Sequence, residues 1–486
     1  MNVSRHRRSF KLTRYMLSPL DHTIPKINVA YFLSFPSQSP EDGLPSLEKG
    51  INKLTSRLPF LAGDTVLPEH ANGRKNAQFV QHSSKETHSI PMLQVKHHST
   101  LSLHDLSTQK VRSGVENLHL AKACAPLPDF INPLERRPIL RFAANIMKDG
   151  ILLGMSINHS FFDGTGSGAI MEALAECCRT PDDQDLSLPI FKQSDRASRE
   201  ELSLLGTEVD SKTDHSKQYN AAGTVPCISS EEWSNMVESF AGSLTSCRLQ
   251  LPATKLKKLK AVCNQILSAT ARTGGPSFVS SNDVLSAFIS VCRSQCHDAQ
   301  GSKESELTTI VNLRSRVQPP IPEYYLGNMI TAVRIPISSS DADPQVKNLP
   351  QLEALGLGHG DLLQITTTAA RLRQSILTVD DGHVRSLLGY LPQQEDWNAI
   401  NMQASNLSIS SWREWNVYNI DFGRDLGTVS HFHMHFGLND GLTVVMPAGG
   451  KVGANWDMQL MIKSTDWPAL KSSPLFQWAF GDSFTD

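Results

Sequence analysis

The stretch Ile151-Leu152-Leu153-Gly154-Met155-Ser156-Ile157-Asn158-His159-Ser160-Phe161-Phe162-Asp163-Gly164-Thr165-Gly166 decides the fold. It begins as a short apolar run, reaches a cluster of polar and aromatic residues, and passes through a glycine-rich turn. Upstream, the segment from Arg141 to Asn158 places two apolar runs on either side of Lys148-Asp149-Gly150. An Asp-Gly turn between such runs predicts a β-hairpin. Downstream, Gly168 to Cys178 spaces its apolar residues by three and four, which predicts a helix. The order is therefore strand, turn, strand, loop, helix, with His159 where the second strand stops.

Farther out the same signals recur. Val429 to Leu438 and Leu442 to Met446 flank Asn439-Asp440-Gly441, and this pattern predicts a second hairpin. Helical spacing marks Lys255 to Leu267, Ser281 to Ser294 and Leu362 to Leu377. The class is mixed α/β. Between Pro181 and Val225 the composition turns polar with few periodic apolar residues, which reads as a connection. A second irregular patch, residues 338–360, is too short to divide the remaining chain. No internal repeat is visible. The expectation is two lobes, residues 1–215 and 241–486, joined by a crossover over 216–240.

Length and charge remove several function classes. A chain of 486 residues is long enough for two large domains. With 46 Lys and Arg against 48 Asp and Glu the net charge is −2, so no basic field exists to hold nucleic acid or an anionic membrane. Hydrophobic residues at 40% with charged residues at 19% describe a globular protein rather than a disordered one. Apolar stretches such as Ile151-Leu152-Leu153 fall far short of the roughly 20 residues that span a bilayer. The first residues carry Arg5, Arg7, Arg8, Lys11 and Arg14 with no apolar signal core behind them, so secretion is not expected. An organelle address fits less well than cytoplasmic residence, because Lys11 to Leu17 runs directly into sequence that reads as folded.

Eight cysteines, at positions 124, 177, 178, 227, 247, 263, 292 and 296, show no metal-ligand spacing. Cys292 and Cys296 lie one helical turn apart among Leu285, Phe288 and Val291, which favours core packing over redox pairing. His431, His433 and His435 alternate along a strand and share one face, but no carboxylate or cysteine stands at matching spacing. No metal site is expected. Asn158-His159-Ser160 matches a glycosylation sequon, yet a glycan there would block the histidine beside it.

His159 is the strongest candidate for chemistry. Imidazole is the side chain suited to take a proton near neutral pH, and a strand end fixes its backbone while the ring faces a cleft. Asp163 follows four residues later. The loop leaves two arrangements open: the carboxylate touches the ring, or it turns away to pair with an arginine and hold the loop.

The HxxxD pattern is weak alone, but its flanks repeat a longer signature. Arg137-Pro138 and Leu140-Arg141 precede the hairpin, and Asn158-His159 through Asp163-Gly164-Thr165-Gly166 follow it. Elsewhere stand Leu17-Ser18-Pro19-Leu20-Asp21, Leu58-Pro59-Phe60-Leu61-Ala62-Gly63 and Leu442-Thr443-Val444-Val445-Met446-Pro447. In this order the chain resembles the BAHD-type acyl-CoA-dependent acyltransferases, and within them the fungal trichothecene O-acetyltransferase-like branch. The resemblance runs nearly end to end. It implies two chloramphenicol-acetyltransferase-like α/β lobes with the active site at their interface, and a monomer.

The resemblance also carries residue roles. His159 is implied as general base and Asp163 as its structural support. In Asn312-Leu313-Arg314-Ser315-Arg316, Arg314 is the first choice and Arg316 the second for the arginine that pairs with Asp163. Ser410-Ser411-Trp412 resembles a Thr-Ser-Trp segment, which implies that Ser410 and Trp412 hold the oxyanion. Val279-Ser280-Ser281-Asn282-Asp283 resembles a helix start, where Ser281 or Asn282 would cap and Ser280 and Ser281 would meet the coenzyme. Lys255, Lys257, Lys258 and Lys260 form a basic run near the coenzyme phosphates, with Lys258 the named candidate, although such runs are ordinarily solvated helix faces. Asp421-Phe422-Gly423-Arg424-Asp425 occupies the place of a structural DFGWG box whose final Trp-Gly is here Arg-Asp.

The implied activity is transfer of an acyl group, acetyl first, from acyl-CoA to a hydroxyl of a secondary metabolite such as a terpenoid or polyketide. No permanently bound cofactor is expected. Two alternatives stay open: a condensation-type enzyme fed by a carrier protein, and a catalytically inactive acyl-CoA-binding homologue. Asn158 in place of the first histidine of HHxxxDG speaks against the former, and intact His159 and Asp163 against the latter.

Overall fold

The computed structural model describes residues 15–481 except 68–77, 82–89, 133–134, 181, 183, 207–214, 222–228, 271–274, 299–304, 338–354, 406, 435–438 and 449–452. The strands that form the two large sheets are, in chain order, β1 (Asn28–Pro36), β2 (Leu93–His97), β3 (Val111–Ser113), β4 (Leu140–Met147), β5 (Gly150–Asn158), β6 (Leu244–Leu251), β7 (Ser305–Asn312), β8 (Ile330–Ile337), β9 (Leu407–Ser411), β10 (His431–Met434), β11 (Leu442–Val445) and β12 (Trp456–Lys463). The helices that position the site are α1 (Pro19–His22), α2 (Leu44–Arg57), α3 (Gly164–Arg179), α4 (Asp195–Leu205), α5 (Ala253–Ala269), α6 (Ser281–Asp298) and α7 (His359–Leu377).

The hairpin of the first half forms as its turn predicts, with β4 and β5 antiparallel from Leu140↔Ile157 to Met147↔Gly150. Together with β1, β2 and β10 they make a five-stranded mixed sheet in the order β10-β1-β5-β4-β2. All nine residues of β5 are buried, because both faces of the sheet are covered. One face packs on α2 and α3 through residues such as Leu47, Leu54, Leu153 and Leu174. The other lies under Leu103, Leu106 and Cys124. The second large sheet has seven strands in the order β8-β7-β9-β11-β12-β6-β3, and α5, α6 and α7 bury its outer face.

The second hairpin does not form. Its first run supplies β10, which pairs with β1 in the five-stranded sheet, while its second supplies β11, which lies between β9 and β12 in the seven-stranded sheet. The turn signal at Asn439-Asp440-Gly441 is thus a handover between sheets, since β10 adds to the edge of one on β1 and β11 inserts between β9 and β12 of the other. A matching exchange runs the other way: β3, from the first half, closes the edge of the seven-stranded sheet on β6.

The segment read as a connection also holds structure. Ser194 caps α4 by accepting from Ala197 N, and the helix buries Asp195, Ser198, Arg199 and Leu202. The run reads as polar because its buried face carries Asp195, Ser198 and Arg199 beside the aliphatic Leu202.

Candidate active site

The nine buried residues of β5 end at Asn158, and the chain turns sharply there. Ser160 N donates to Asn158 Oδ1 at 3.0 Å, and Asn158 Nδ2 donates to Thr65 Oγ1 at 2.8 Å. With its amide bound and 1% exposed, Asn158 is closed to a glycan. Phe161 and Phe162 are fully buried and pin the loop into the core beneath it.

His159 remains partly exposed between these anchors. Its Nδ1 lies 2.9 Å from the carbonyl of Phe162. A carbonyl only accepts, so Nδ1 carries the proton and donates, and Nε2 keeps its lone pair. Burial lowers the pKa of the ring from its ordinary value, against the opposing pull of the Phe162 carbonyl and Asp163. The ring is therefore neutral near pH 7 and able to accept a proton.

Asp163 does not support His159 by direct contact; it turns away. Its carboxylate, wholly buried, caps α3 by accepting from Gly166 N at 2.9 Å, and accepts from Met329 N at 2.9 Å. Arg314 donates to both oxygens, through Nη1 at 2.7 Å and Nη2 at 2.9 Å. Nη2 of Arg314 also donates to the carbonyls of Tyr325 and Gly327, each at 2.9 Å. Arg316 goes elsewhere, to the carbonyls of Ile376 and Val379. The fork between Asp163 and Arg314 ties the loop after β5 to the segment after β7.

The Ser410 segment reaches the same place by topology. β7, β9 and β11 run parallel, in registers Thr309↔Ile409 and Ser410↔Val444, so their carboxyl ends share one edge, where sites in parallel sheets form. Asn312, at that end of β7, donates to Thr165 Oγ1 at 3.2 Å in the first turn of α3. Just past β9, Trp412 stacks on Trp415 with ring centroids 4.7 Å apart and planes 5° from parallel. A Cβ on Gly164 would stand 2.6 Å from the Trp415 ring and 3.4 Å from Trp412 Nε1, so only glycine lets the indoles approach the loop. The hydroxyl of Ser410 is half-buried and makes no hydrogen bond to a described residue, and so stays available.

Other candidates lie apart from this loop. Ser280, not Ser281 or Asn282, caps α6: its Oγ accepts from Asp283 N at 3.2 Å, while Asp283 accepts from Ser280 N at 2.7 Å. The helix starts at Ser281, as its spacing implied, and the cap falls on the residue before it because Asp283 completes a reciprocal cap with Ser280. Ser281 opens the first turn, half-buried. Lys258 is exposed on α5, whereas Lys255 donates to the Trp478 carbonyl. Asp421, Phe422 and Gly423 form a turn on the far end of α3: Arg179 donates to the Asp421 carbonyl at 2.9 Å, Phe422 packs edge-on to Phe35, and Gly423 at φ +94° lies against the Arg179 backbone. Arg424 is exposed, and Asp425 accepts from Ser46 on α2. Since α3 has 16 residues, this turn stands about 24 Å from the Asp163 end.

His431 and His433 stack 6.2 Å apart, and His435 lies outside the described residues, as does Cys227. Among the described residues no group of three His, Cys, Asp or Glu is placed to hold a metal. No described helix is long and apolar enough to cross a membrane.

Sequence reasoning missed a second buried charge cluster beside the loop. Arg199 on α4 pairs with Asp21 on α1 and with Asp195 at 3.0 Å. Its guanidinium sits over the Phe161 ring at 4.6 Å. Burial opposes its charge, but Asp21, Tyr325 and Asp195 more than offset that and hold it protonated. The signal was present: Ser194 before Asp195, with Arg199 four residues later, is a cap followed by an i,i+4 pair.

The profile of the Transferase family matches residues 99–473. The O-acetyltransferase pyr7 of Aspergillus fumigatus is 34% identical over 482 residues, covering 97% of this chain and 93% of the relative. The fumigaclavine B O-acetyltransferase easN of the same organism is 34% identical over 490 residues, covering 96% and 97%. In fold, TRI101 of F. sporotrichioides, solved with coenzyme A and T-2, superposes with a TM-score of 0.70 over 96% of this chain and 99% of that one at 19% identity. The chain belongs to the Transferase family, the BAHD-type acyl-CoA-dependent acyltransferases.

Proposed function

We propose that this protein transfers an acetyl group from acetyl-CoA to a hydroxyl of a secondary metabolite such as a terpenoid or polyketide, with His159 as general base. The observation that carries the reading is the state of His159: neutral, Nδ1–H committed to the Phe162 carbonyl, ring partly open, and Asp163 held away from it. Named relatives support O-acetyl transfer, one of them on fumigaclavine B.

In this mechanism Nε2 of His159 takes the hydroxyl proton as the alcohol oxygen attacks the thioester carbonyl. A C–O bond forms and the carbonyl oxygen becomes an anion. Ser410 Oγ and Trp412 Nε1 donate to that oxygen, and donors of this kind each contribute about 3 kcal/mol. As the tetrahedral centre collapses the C–S bond breaks, and the His159 imidazolium returns its proton to the coenzyme thiolate. Asp163 and Arg314 take no part in the proton transfer and position the loop. Ser280 and Ser281 at the start of α6, with Lys258 on α5, line the approach of the coenzyme in this reading. The working unit is a cytoplasmic monomer of two lobes, 1–215 and 241–486, that exchange β3 and β10.

Incubating the purified chain with labelled acetyl-CoA and a panel of terpenoid, alkaloid and polyketide alcohols tests this. The expected result is a labelled ester and free coenzyme A in equal amounts. Transfer only from a loaded carrier protein, or binding of acetyl-CoA with no ester from any alcohol, would refute it.

A further inference from the structure

Most backbone carbonyls around His159 receive a donor of their own. The carbonyl of Asn158 takes the N–H groups of Phe161 and Phe162. The carbonyl of Asp163 takes Ser167 N and Oγ. Asn328 Nδ2 donates to the carbonyl of His159 at 3.0 Å, and Arg199 Nη2 to the carbonyl of Phe161 at 3.4 Å. The Phe162 carbonyl receives Nδ1–H of His159.

The two outside donors are themselves joined. Asn328 reaches Asp21 Oδ1 twice, through its backbone N at 2.8 Å and its Nδ2 at 3.0 Å, while Asp21 Oδ2 receives Arg199. Asp21 is locked by Ser18 N at 2.7 Å. Asp195, the other partner of Arg199, receives Leu326 N at 2.6 Å. Loop, α1, α4 and residues 326–328 thus converge on one buried cluster, on wholly different side chains from the Asp163–Arg314 fork.

We infer that Arg199 and Asn328, joined through Asp21, are positioning residues that hold the loop carbonyls so that the Phe162 oxygen stays on Nδ1 of His159. This rests on the reading of His159 as the base. Without the clamp the loop is still covered by Phe161 and Phe162, but the Phe162 oxygen loses its fixed direction. The neutral ring then divides between tautomers, and the tautomer with its proton on Nε2 cannot accept one there. The imidazolium also loses a hydrogen-bond acceptor, which lowers its stability relative to the neutral ring.

The test is steady-state kinetics against pH for Asn328→Ala and Arg199→Lys with acetyl-CoA and the best alcohol of the panel, alongside His159→Ala and thermal melting. Arg199→Lys keeps the buried positive charge for Asp21 and Asp195, so a folded variant is available if Asn328→Ala is not. The expected result is a fall in kcat of about 10- to 100-fold, an unchanged KM for acetyl-CoA, and an acid limb of kcat/KM moved to lower pH. A limb that stays where the parent has it overturns the inference, whether or not turnover or melting falls, because general loosening of the fold does not move it. Full turnover by His159→Ala would instead overturn the assignment of the base itself.

Discussion

Replacing Asp163 by Ala should destabilise the protein as well as silence it. The carboxylate, with no exposed surface, accepts four N–H groups: two from Arg314, one from Gly166 and one from Met329. Its loss strands the guanidinium of Arg314, itself 3% exposed, with neutral acceptors alone among the described residues: the Tyr325 and Gly327 carbonyls and, at 3.4 Å, Asn312 Oδ1. Removing one partner of a buried ion pair costs about 3–5 kcal/mol, because the remaining charge is uncompensated. At about 2–4 °C per kcal/mol for a unit of 150–250 residues, the melting temperature should fall by roughly 6–20 °C. The double variant Asp163→Ala, Arg314→Met removes the stranded charge and should recover part of that loss, although activity stays low since the loop has lost its tether. Differential scanning calorimetry on the parent and both variants reads these values. A single variant melting within about 1 °C of the parent, or a double variant no more stable than the single one, would refute the reasoning.

Ser410→Ala should lower kcat by about 10²–10³-fold with unchanged melting, since the hydroxyl holds no hydrogen bond to a described residue; full turnover would remove it from the oxyanion role. His22 is kept neutral by burial, its pKa lowered from 6.5 to about 4, with Nδ1 on the Ser18 carbonyl and Nε2 accepting from Gln78 N. The unfolded chain therefore takes up that proton first, so stability is full above pH 6.5 and falls by about 3 kcal/mol as pH drops toward 4. His22→Gln should make the decline in melting temperature over that interval shallower, and an identical decline would show that His22 contributes nothing to it. Restoring the family residues as Arg424→Trp with Asp425→Gly should leave kcat and the KM for acetyl-CoA within about twofold, because the turn stands a helix length from the loop. A larger kinetic change would place that turn beside the coenzyme.

The first hairpin and the helix after His159 were legible because three local signals agreed: two β-rich apolar runs, an Asp-Gly turn, and spacing by three and four from Gly168. Where only local signals were read, the sequence misled. Asn439-Asp440-Gly441 sits between apolar runs as a hairpin turn does, yet β10 and β11 belong to different sheets, and nothing local encodes which distant strand a run will join. The loop geometry was legible as a choice, Asp163 on the ring or on an arginine, and Arg314 closes that choice from 151 positions away. Arg199 escaped notice because charged residues on a helix normally mark its solvent face. Here α4 turns that face inward, and Asp21, Asp195 and the Phe161 ring supply the partners that make the burial tolerable.

The turnover of His159→Ala with labelled acetyl-CoA, measured beside the parent on the same alcohol, tests the central claim most directly. Among the described residues the ring's side-chain partner is the Phe162 carbonyl, so losing that hydrogen bond should lower melting by no more than the equivalent of about 1 kcal/mol. The account predicts a folded protein whose ester formation is about 10²–10⁴-fold slower. A folded His159→Ala protein that forms the ester at the parent's rate would contradict it.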